Sequence, residues 1–390
     1  MKDSPTDPLS TPIPGGLSGT SDIVQASLSA YGASEGAVRR AHRDSGANVS
    51  DGPFALKGRE AREEAEELIL SPGATRARGA GVRERVEEAD VIRTCFERDL
   101  DRIKHTRAFR RLSGKCQVFL APDNVHIRNR MTHAIEVAQV ATSIARALGL
   151  NLALSEAIAL GHDCGHGPGG HASEDAFAEY VPGGFDHALW GADVVLSDQN
   201  LCVETLDGIR QHSWRLAAPQ TPEGETVSLS DRLAYVCHDF DDAVRAGVLH
   251  PDELPREVAM VLGERQSEQI RSLVGSVLQA AELTGKVGIM EREASALDTF
   301  RAFNYERIYL RAASVSQNDR VVEMLRGLVE WYVEHPFQLP DLALRGREAL
   351  SEANVLQEAV RYVSGMTDRF AMGQAQSLLG WSDARLPRGV

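Results

Sequence analysis

Gly161-His162-Asp163-Cys164-Gly165-His166-Gly167-Pro168-Gly169-Gly170-His171 places three histidines, one aspartate and five glycines in eleven residues. This Gly-rich segment interrupts helical periodicity, and what flanks it decides the fold class. Upstream, Thr132 to Leu148 sets Ile135, Val137, Ala138, Ala141, Ile144 and Leu148 near one helical face and stops at Gly149. Further upstream, Glu88 to Leu112 does the same with Ile92, Phe96, Leu100, Ile103 and Phe109, ending at Ser113-Gly114. Helical patterns also cover 155–160, 173–180, 189–196, 230–246, 255–262, 267–284, 294–310, 319–334 and 351–365. Alternating apolar runs are scarce: Lys115 to Leu120 is the best strand candidate and Val287 to Met290 a weaker second. No repeat of fixed period is present. The class is mainly α.

Residues 1–58 carry Pro5, Pro8, Pro12 and Pro14 among many Ser, Thr and Gly, and read as a mobile extension with a short helix near Ala37 to Asp44. With 42 Lys+Arg against 56 Asp+Glu, the formal charge is −14, which argues against a nucleic-acid coat protein. Apolar stretches such as Asn151 to Leu160 fall far short of the roughly 20 residues that cross a bilayer, and Met1-Lys2-Asp3-Ser4-Pro5 opens polar, without the pattern of a secretory signal. The expected location is the cytoplasm, with no membrane contact. The five cysteines, Cys95, Cys116, Cys164, Cys202 and Cys237, are odd in number and form no Cys-x-x-Cys pair, which disfavours a disulfide framework or a thiolate zinc site.

Five of the twelve histidines lie between His133 and His187. A single histidine is more often a hydrogen-bonded imidazole than a ligand, but the clustering reverses that weighting. Adjacent His162 and Asp163 can offer nitrogen and oxygen to one divalent ion. His133 projects from a helix, and Asp231 stands at the expected start of another. Packed helices build such sites from facing side chains.

One His on a helix, a His-Asp dyad 29 residues later and an Asp 68 residues beyond resembles the HD-domain phosphohydrolase superfamily. The blocks Arg107-Ala108-Phe109-Arg110-Arg111-Leu112, Lys115-Cys116-Gln117-Val118-Phe119, Arg130-Met131-Thr132-His133, Asp231-Arg232-Leu233-Ala234-Tyr235 through Asp242, and Gly365-Met366-Thr367-Asp368-Arg369-Phe370-Ala371 look like the dGTPase-like deoxynucleoside triphosphate triphosphohydrolase family. The likeness spans about residues 60 to 380. It implies an HD-domain helical bundle with additional C-terminal helices: a core over 59–250, a C-terminal helical region over 251–380 and a tail over 381–390. It implies hydrolysis of a dNTP to deoxynucleoside and inorganic triphosphate, with His133, His162, Asp163 and Asp231 holding a divalent ion. Mn, Mg, Fe, Zn, Ni and Co all suit those donors. His171 and Glu174 match a pair in which the carboxylate orients a histidine that protonates the leaving 5′ oxygen, with His187 and His166 at the phosphates or that oxygen. Arg232, Tyr235 and Asp239 match residues that approach phosphate and sugar. The family also implies a homo-oligomer, commonly a hexamer, and in some members a regulatory nucleotide or single-stranded DNA.

A triphosphate needs local positive charge. Between Arg93 and Arg130 ten basic residues face four acidic ones, and Arg130, one turn before His133, is placed to hold a phosphate beside the ion. A solvated helix face is the competing reading of Arg93, Arg98 and Arg102, a core aromatic that of Tyr235, and a dipole-favoured carboxylate that of Glu174. The chain departs from the family at Gly169, commonly Phe, and at Ala188 and Trp190, commonly Asn and Gln. Two other functions stay open: an HD phosphohydrolase of nucleoside monophosphates or alarmones, and a dNTP-sensing regulatory module.

Overall fold

The computed structural model describes residues 34–35, 38–39, 41–42, 46–52, 54–120, 122, 124–340 and 351–387. The chain divides into two compact units, Met1–Leu56 and Lys57–Val390. In the first, β1 (Ser34–Glu35) pairs antiparallel with β2 (Val38–Arg39), Ser34 opposite Arg39. The helix expected over Ala37–Asp44 is therefore wrong at Val38–Arg39. A β-branched residue favours extended backbone there, and so short a segment cannot nucleate a helix unaided. Most of the expected extension lies outside the described residues.

Among the described residues the second unit's regular structure is helical: α1 (Arg59–Ile69), α2 (Cys95–His105), α3 (Arg107–Arg111), α4 (Arg130–Leu148), α5 (Leu152–Gly161), α6 (Ala172–Phe177), α7 (His187–Trp190), α8 (Val203–Arg210), α9 (Pro222–Arg245), α10 (Arg256–Leu262), α11 (Gln266–Thr284), α12 (Glu291–Asn304), α13 (Ala312–Glu334), α14 (Glu352–Ser364) and α15 (Asp368–Leu379). Caps set many of the boundaries. The expected Glu88–Leu112 helix begins only after Thr94, whose side chain forms a capping box with Glu97, and breaks where Thr106 caps α3. α9 starts eight residues before the expected Ser230, because Thr221 caps it and Pro222 occupies its first turn. Asp231 consequently sits in mid-helix, not at a helix start. α4 runs from an Asn129 capping box to Gly149, whose φ of 65° is the left-handed stop. The expected helices over 189–196 and 294–310 end in single π-turns at Gly191–Val195 and Tyr305–Tyr309.

Neither expected strand forms. Within 115–120 only Cys116 makes a bridge, to Asn129, because Lys115 and Cys116 spend their polar groups on other segments. Residues 287–290 carry no ladder at all.

Three large apolar clusters organise this unit, with a small fourth around Ala74, Ala145 and Leu150. The first joins α2, α4, α5, α8 and α9 through Phe96, Ile103, Val137, Leu154, Ile158 and Val227. α4 and α9 turn their other faces into a second, with Ile144, Leu233, Phe240, Val258, Leu273 and Phe300. The third unites α6 and α7 with α13, α14 and α15 around Phe177, Phe185, Trp190, Leu325, Leu328 and Val363. Phe177 is fully buried, with its ring centroid 5.1 Å from that of Phe185. Phe177→Ala is expected to cost about 3–5 kcal/mol, seen as a lower urea midpoint at constant slope. A loss below about 1 kcal/mol would mean that the cluster collapses onto the vacated space.

Candidate active site

The Gly-rich segment lies between α5 and α6. α5 delivers His162 at its C-terminal end, and the ring Nδ1–H donates to the Ala159 carbonyl at 2.6 Å. That bond leaves the Nε2 lone pair facing inward, where it is buried and has no hydrogen-bond partner. Nε2 lies 3.5 Å from Asp163 Oδ1 and 3.8 Å from Asp231 Oδ1. His133, in the first turn of α4, puts its Nε2 2.9 Å from the same Asp231 oxygen. His133, His162 and Asp231, and likewise His162, Asp163 and His212, each place one donor atom within 4.8 Å of the others. Residues from α4, α5 and α9 thus converge on one point.

The electrostatics suit a cation. Burial alone would raise the Asp163 carboxyl, but the Arg130 guanidinium and the His162 and His166 imidazoles hold it well below the usual carboxylate range. Burial likewise opposes ionisation of Asp231, and His133 and His162 reverse this, lowering it to about 2. Burial would lower His133, and Asp231 outweighs that and raises it. Two ionised carboxylates and an imidazole nitrogen without a partner make a fitting donor set for a divalent ion.

Arg130 is 2% exposed, and its guanidinium donates to the other Asp163 oxygen at 2.8 Å. It therefore pairs with Asp163 instead of standing open toward solvent.

A second group adjoins the first. Glu174, in the first turn of α6, accepts a short hydrogen bond from His187 Nδ1–H, while His171 Nδ1 lies 3.7 Å from its other oxygen. His187 opens α7, capped by Asp186, and stacks on His166 with centroids 3.7 Å apart. The two imidazoles and the buried carboxylate lie close enough to be electrostatically coupled. Burial opposes the charge on Glu174, but the nearby His171 imidazole and the hydrogen bond from His187 hold it well below the usual range. Burial drives His166 well below its ordinary value, helped by Arg130 and His187. His171, by contrast, has a side chain 68% exposed. A carboxylate between an enclosed and an open histidine can orient the open one as a proton donor. Gly165 permits this crowding, since a Cβ there would lie 2.0 Å from the His187 carbonyl oxygen.

On α9, the Arg232 guanidinium lies 3.7 Å above the Trp214 ring. Tyr235 is half-buried and its hydroxyl accepts from Arg301 Nε at 3.0 Å, so it is not simply a core aromatic. Asp239 accepts a short hydrogen bond from the Tyr309 hydroxyl at Oδ2, whereas its buried Oδ1 has no partner. Burial pushes the Asp239 carboxyl up to about 7.

Four neighbours escaped the sequence reading: His212, Trp214, Arg301 and Tyr309. His212 Nε2 lies 3.1 Å from His187 Nε2, and its Nδ1–H donates to the Ile209 carbonyl at 2.7 Å. Its position three residues after Ile209 repeats that of His162 after Ala159, a signal that required α8 to be recognised. Arg301 and Tyr309 reach α9 from α12 and the π-turn, with no local mark in sequence. The basic surplus is partly spent elsewhere: Arg93 pairs with Asp90 and Asp101, and Arg98 and Arg102 with Glu87. Trp190 is buried, donating to Ser364 Oγ at 3.2 Å. A Cβ at Gly169, where φ is 75°, would meet Val321 at 2.5 Å. Among the described residues, no helix is long and apolar enough to cross a membrane.

Comparison with known proteins gives consistent matches. The HD domain family matches residues 130–236, and the phosphohydrolase-associated domain matches residues 287–377. A deoxyguanosinetriphosphate triphosphohydrolase-like protein of Caldanaerobacter subterraneus subsp. tengcongensis is 38% identical over 81% of this chain and 94% of its own. One from Clostridium perfringens is 36% identical over 82% and 96%. One from Jannaschia is 31% identical over 79% and 94%. A solved structure of a hypothetical protein from Aquifex aeolicus aligns with a TM-score of 0.40 at 18% identity, covering 74% of this chain and 69% of that one.

Proposed function

The chain belongs to the deoxyguanosinetriphosphate triphosphohydrolase-like family of HD-domain phosphohydrolases, and from that premise we propose that it converts a dNTP and water to deoxynucleoside and inorganic triphosphate. As a member it is an enzyme acting on nucleotides. The observation that carries the finer reading is the buried Nε2 of His162, without a partner and facing Asp163 and Asp231.

His133, His162, Asp163 and Asp231 would hold a divalent ion, one of Mn, Mg, Fe, Zn, Ni and Co. Such an ion supplies Lewis-acid stabilisation at the α-phosphate and acidifies a water. The protein's own groups supply the rest. Arg130 keeps Asp163 ionised and oriented. As the bond between the α-phosphorus and the 5′ oxygen breaks, His171 gives its proton to that oxygen, Glu174 fixing the ring that donates it. His187 and His166 line the phosphate side. Arg232 faces phosphate from its perch on Trp214. Tyr235 and the free Oδ1 of Asp239 meet the sugar, the latter accepting a hydroxyl. The core over 59–250, the C-terminal region over 251–380, a homo-oligomer such as a hexamer, and binding of a regulatory nucleotide or single-stranded DNA belong to the same proposal.

The test incubates the protein with each of the four dNTPs and with GTP, in Mn²⁺ and then Mg²⁺, resolving products by anion exchange. Inorganic triphosphate with free deoxynucleoside is expected. No triphosphate in any combination would sink the reading, and phosphate released from monophosphates alone would shift the bond cleaved.

Asp239 adds a pH signature. Below about pH 7 its carboxyl is protonated and accepts the sugar hydroxyl weakly; above it the carboxylate accepts strongly. kcat/KM is expected to rise through that range. Asp239→Asn should lower the plateau about tenfold and remove the neutral limb. A limb unchanged in the variant would assign it to another group.

A further inference from the structure

Two sequence blocks, Lys115-Cys116 and Gly365-Met366-Thr367-Asp368, have no part in the chemistry just described, yet their charged side chains are almost completely buried. Asp368, at the first turn of α15, is 2% exposed, and Lys115 is 3% exposed. One Asp368 oxygen accepts the Cys116 N–H at 2.8 Å and the other the Gly169 N–H at 2.9 Å. The Lys115 ammonium donates a short hydrogen bond to the His166 carbonyl and another, at 3.0 Å, to the carbonyl of Ser364 at the end of α14.

These contacts converge on the segment between His166 and His171. That segment has no helix or strand of its own, and Gly169 and Gly170 adopt φ of 75° and 63°. Within it, Ser173 ties Gly167 and Gly170 together. Beside the packing of Gly169 on Val321, its hydrogen-bonded connection to the C-terminal helices runs through Asp368 and Lys115. Burying a carboxylate and an ammonium costs several kcal/mol unless both are well bonded. An apolar pair would pack α15 equally well, but could not hold backbone N–H and carbonyl groups at fixed points.

We propose that Asp368 and Lys115 are positioning residues: they clamp the backbone of the His166–Gly170 segment so that His171 meets the leaving oxygen, making the C-terminal helices part of the catalytic apparatus. This rests on the reading of His171 as the proton donor. Misplacing a reacting group by about 1 Å can cost roughly a hundredfold, so loosening one side of the clamp should act on kcat.

The experiment compares the ion-loaded full chain with Asp368→Asn, Lys115→Gln and His171→Ala on two substrates. One is a dNTP. The other is the same dNTP with sulfur in place of the bridging 5′ oxygen, whose thiolate leaves without needing a proton. Asp368→Asn is expected to lower kcat on the oxygen substrate about 30-fold, with KM and bound metal within about threefold of wild type. Its loss on the sulfur substrate should be at least about tenfold smaller, as it should for His171→Ala. Equal losses on both substrates, or an effect confined to KM or metal content, overturn the inference. Lys115→Gln attacks the same segment from its other side and should repeat the pattern if Asp368→Asn does not fold. If neither variant folds by circular dichroism, the pair serves the fold, and the inference is wrong. Should His171→Ala spare dNTP turnover, the general-acid reading fails. Should only Asp368→Asn and Lys115→Gln spare it, the positioning inference fails alone.

Discussion

His171→Ala is expected to lower kcat for a dNTP by about 10²- to 10⁴-fold while the ion remains bound. The leaving sugar oxygen is a poor leaving group unless protonated as the bond breaks. Among the imidazoles around Glu174, that of His171 is the open one, its side chain 68% exposed, whereas His166 and His187 are buried and stacked on each other. His171 belongs to a separate donor group, with His166, Glu174 and His187, and not to those holding His133, His162, Asp163 and Asp231, so an ion bound at the latter should stay. Kinetics paired with elemental analysis of the same preparation test this. A variant that keeps its ion and turns over within a few-fold of wild type would transfer the proton to His187 or to water.

The second large effect concerns Asp163. One of its oxygens lies 3.5 Å from His162 Nε2 and 3.2 Å from His166 Nε2, and the other accepts from Arg130 at 2.8 Å. Asp163→Ala should abolish ion binding and lower turnover by more than about 10³-fold, the several kcal/mol that a Lewis acid contributes. It also strands Arg130, 2% exposed, as an uncompensated buried charge, a loss of about 3–5 kcal/mol in stability. His162→Ala separates the two effects, since it removes a proposed ion ligand and leaves the Arg130 pair intact. Both variants should lose the ion, but only Asp163→Ala should melt markedly earlier. Retention of stoichiometric metal by both would place the ion elsewhere, and equal melting would show that Arg130 finds another partner.

The clustering of His133, His162 and Asp231, and of Asp163 with His162, was legible because histidines and an aspartate crowd one Gly-rich segment and because the spacing resembles the HD superfamily. The helical class was legible from the same periodicity. What stayed hidden depended on contacts between distant segments. Arg301 meets Tyr235 across 66 residues, and Tyr309 meets Asp239 across 70. Nothing near Phe300 or Ile308 announces either. Trp190 replaces a residue expected at the site, but its ring is drawn into the third apolar cluster with Phe185. Lys115 to Leu120 alternates like a strand, yet its first two residues bind the Gly-rich segment and Asp368 in place of a ladder partner. Boundaries failed where polar caps outweighed apolar period, as at Thr106 and Thr221.

α9 carries Asp231 and Asp239 on one uninterrupted helix of 24 residues. Eight residues at 1.5 Å each set the two carboxylates about 12 Å apart along the axis, and no loop intervenes to absorb a change. Under the proposed reaction the helix is therefore a ruler with two marks, one at the phosphate to be cut and one at the sugar to be recognised. A single inserted residue between the marks would swing the second by about 100° and leave the first in register. Seven would bring it back to nearly the same bearing, about 10 Å further away. Under that proposal, chain length within this stretch would specify which molecule fits, separately from whether the bond can be broken.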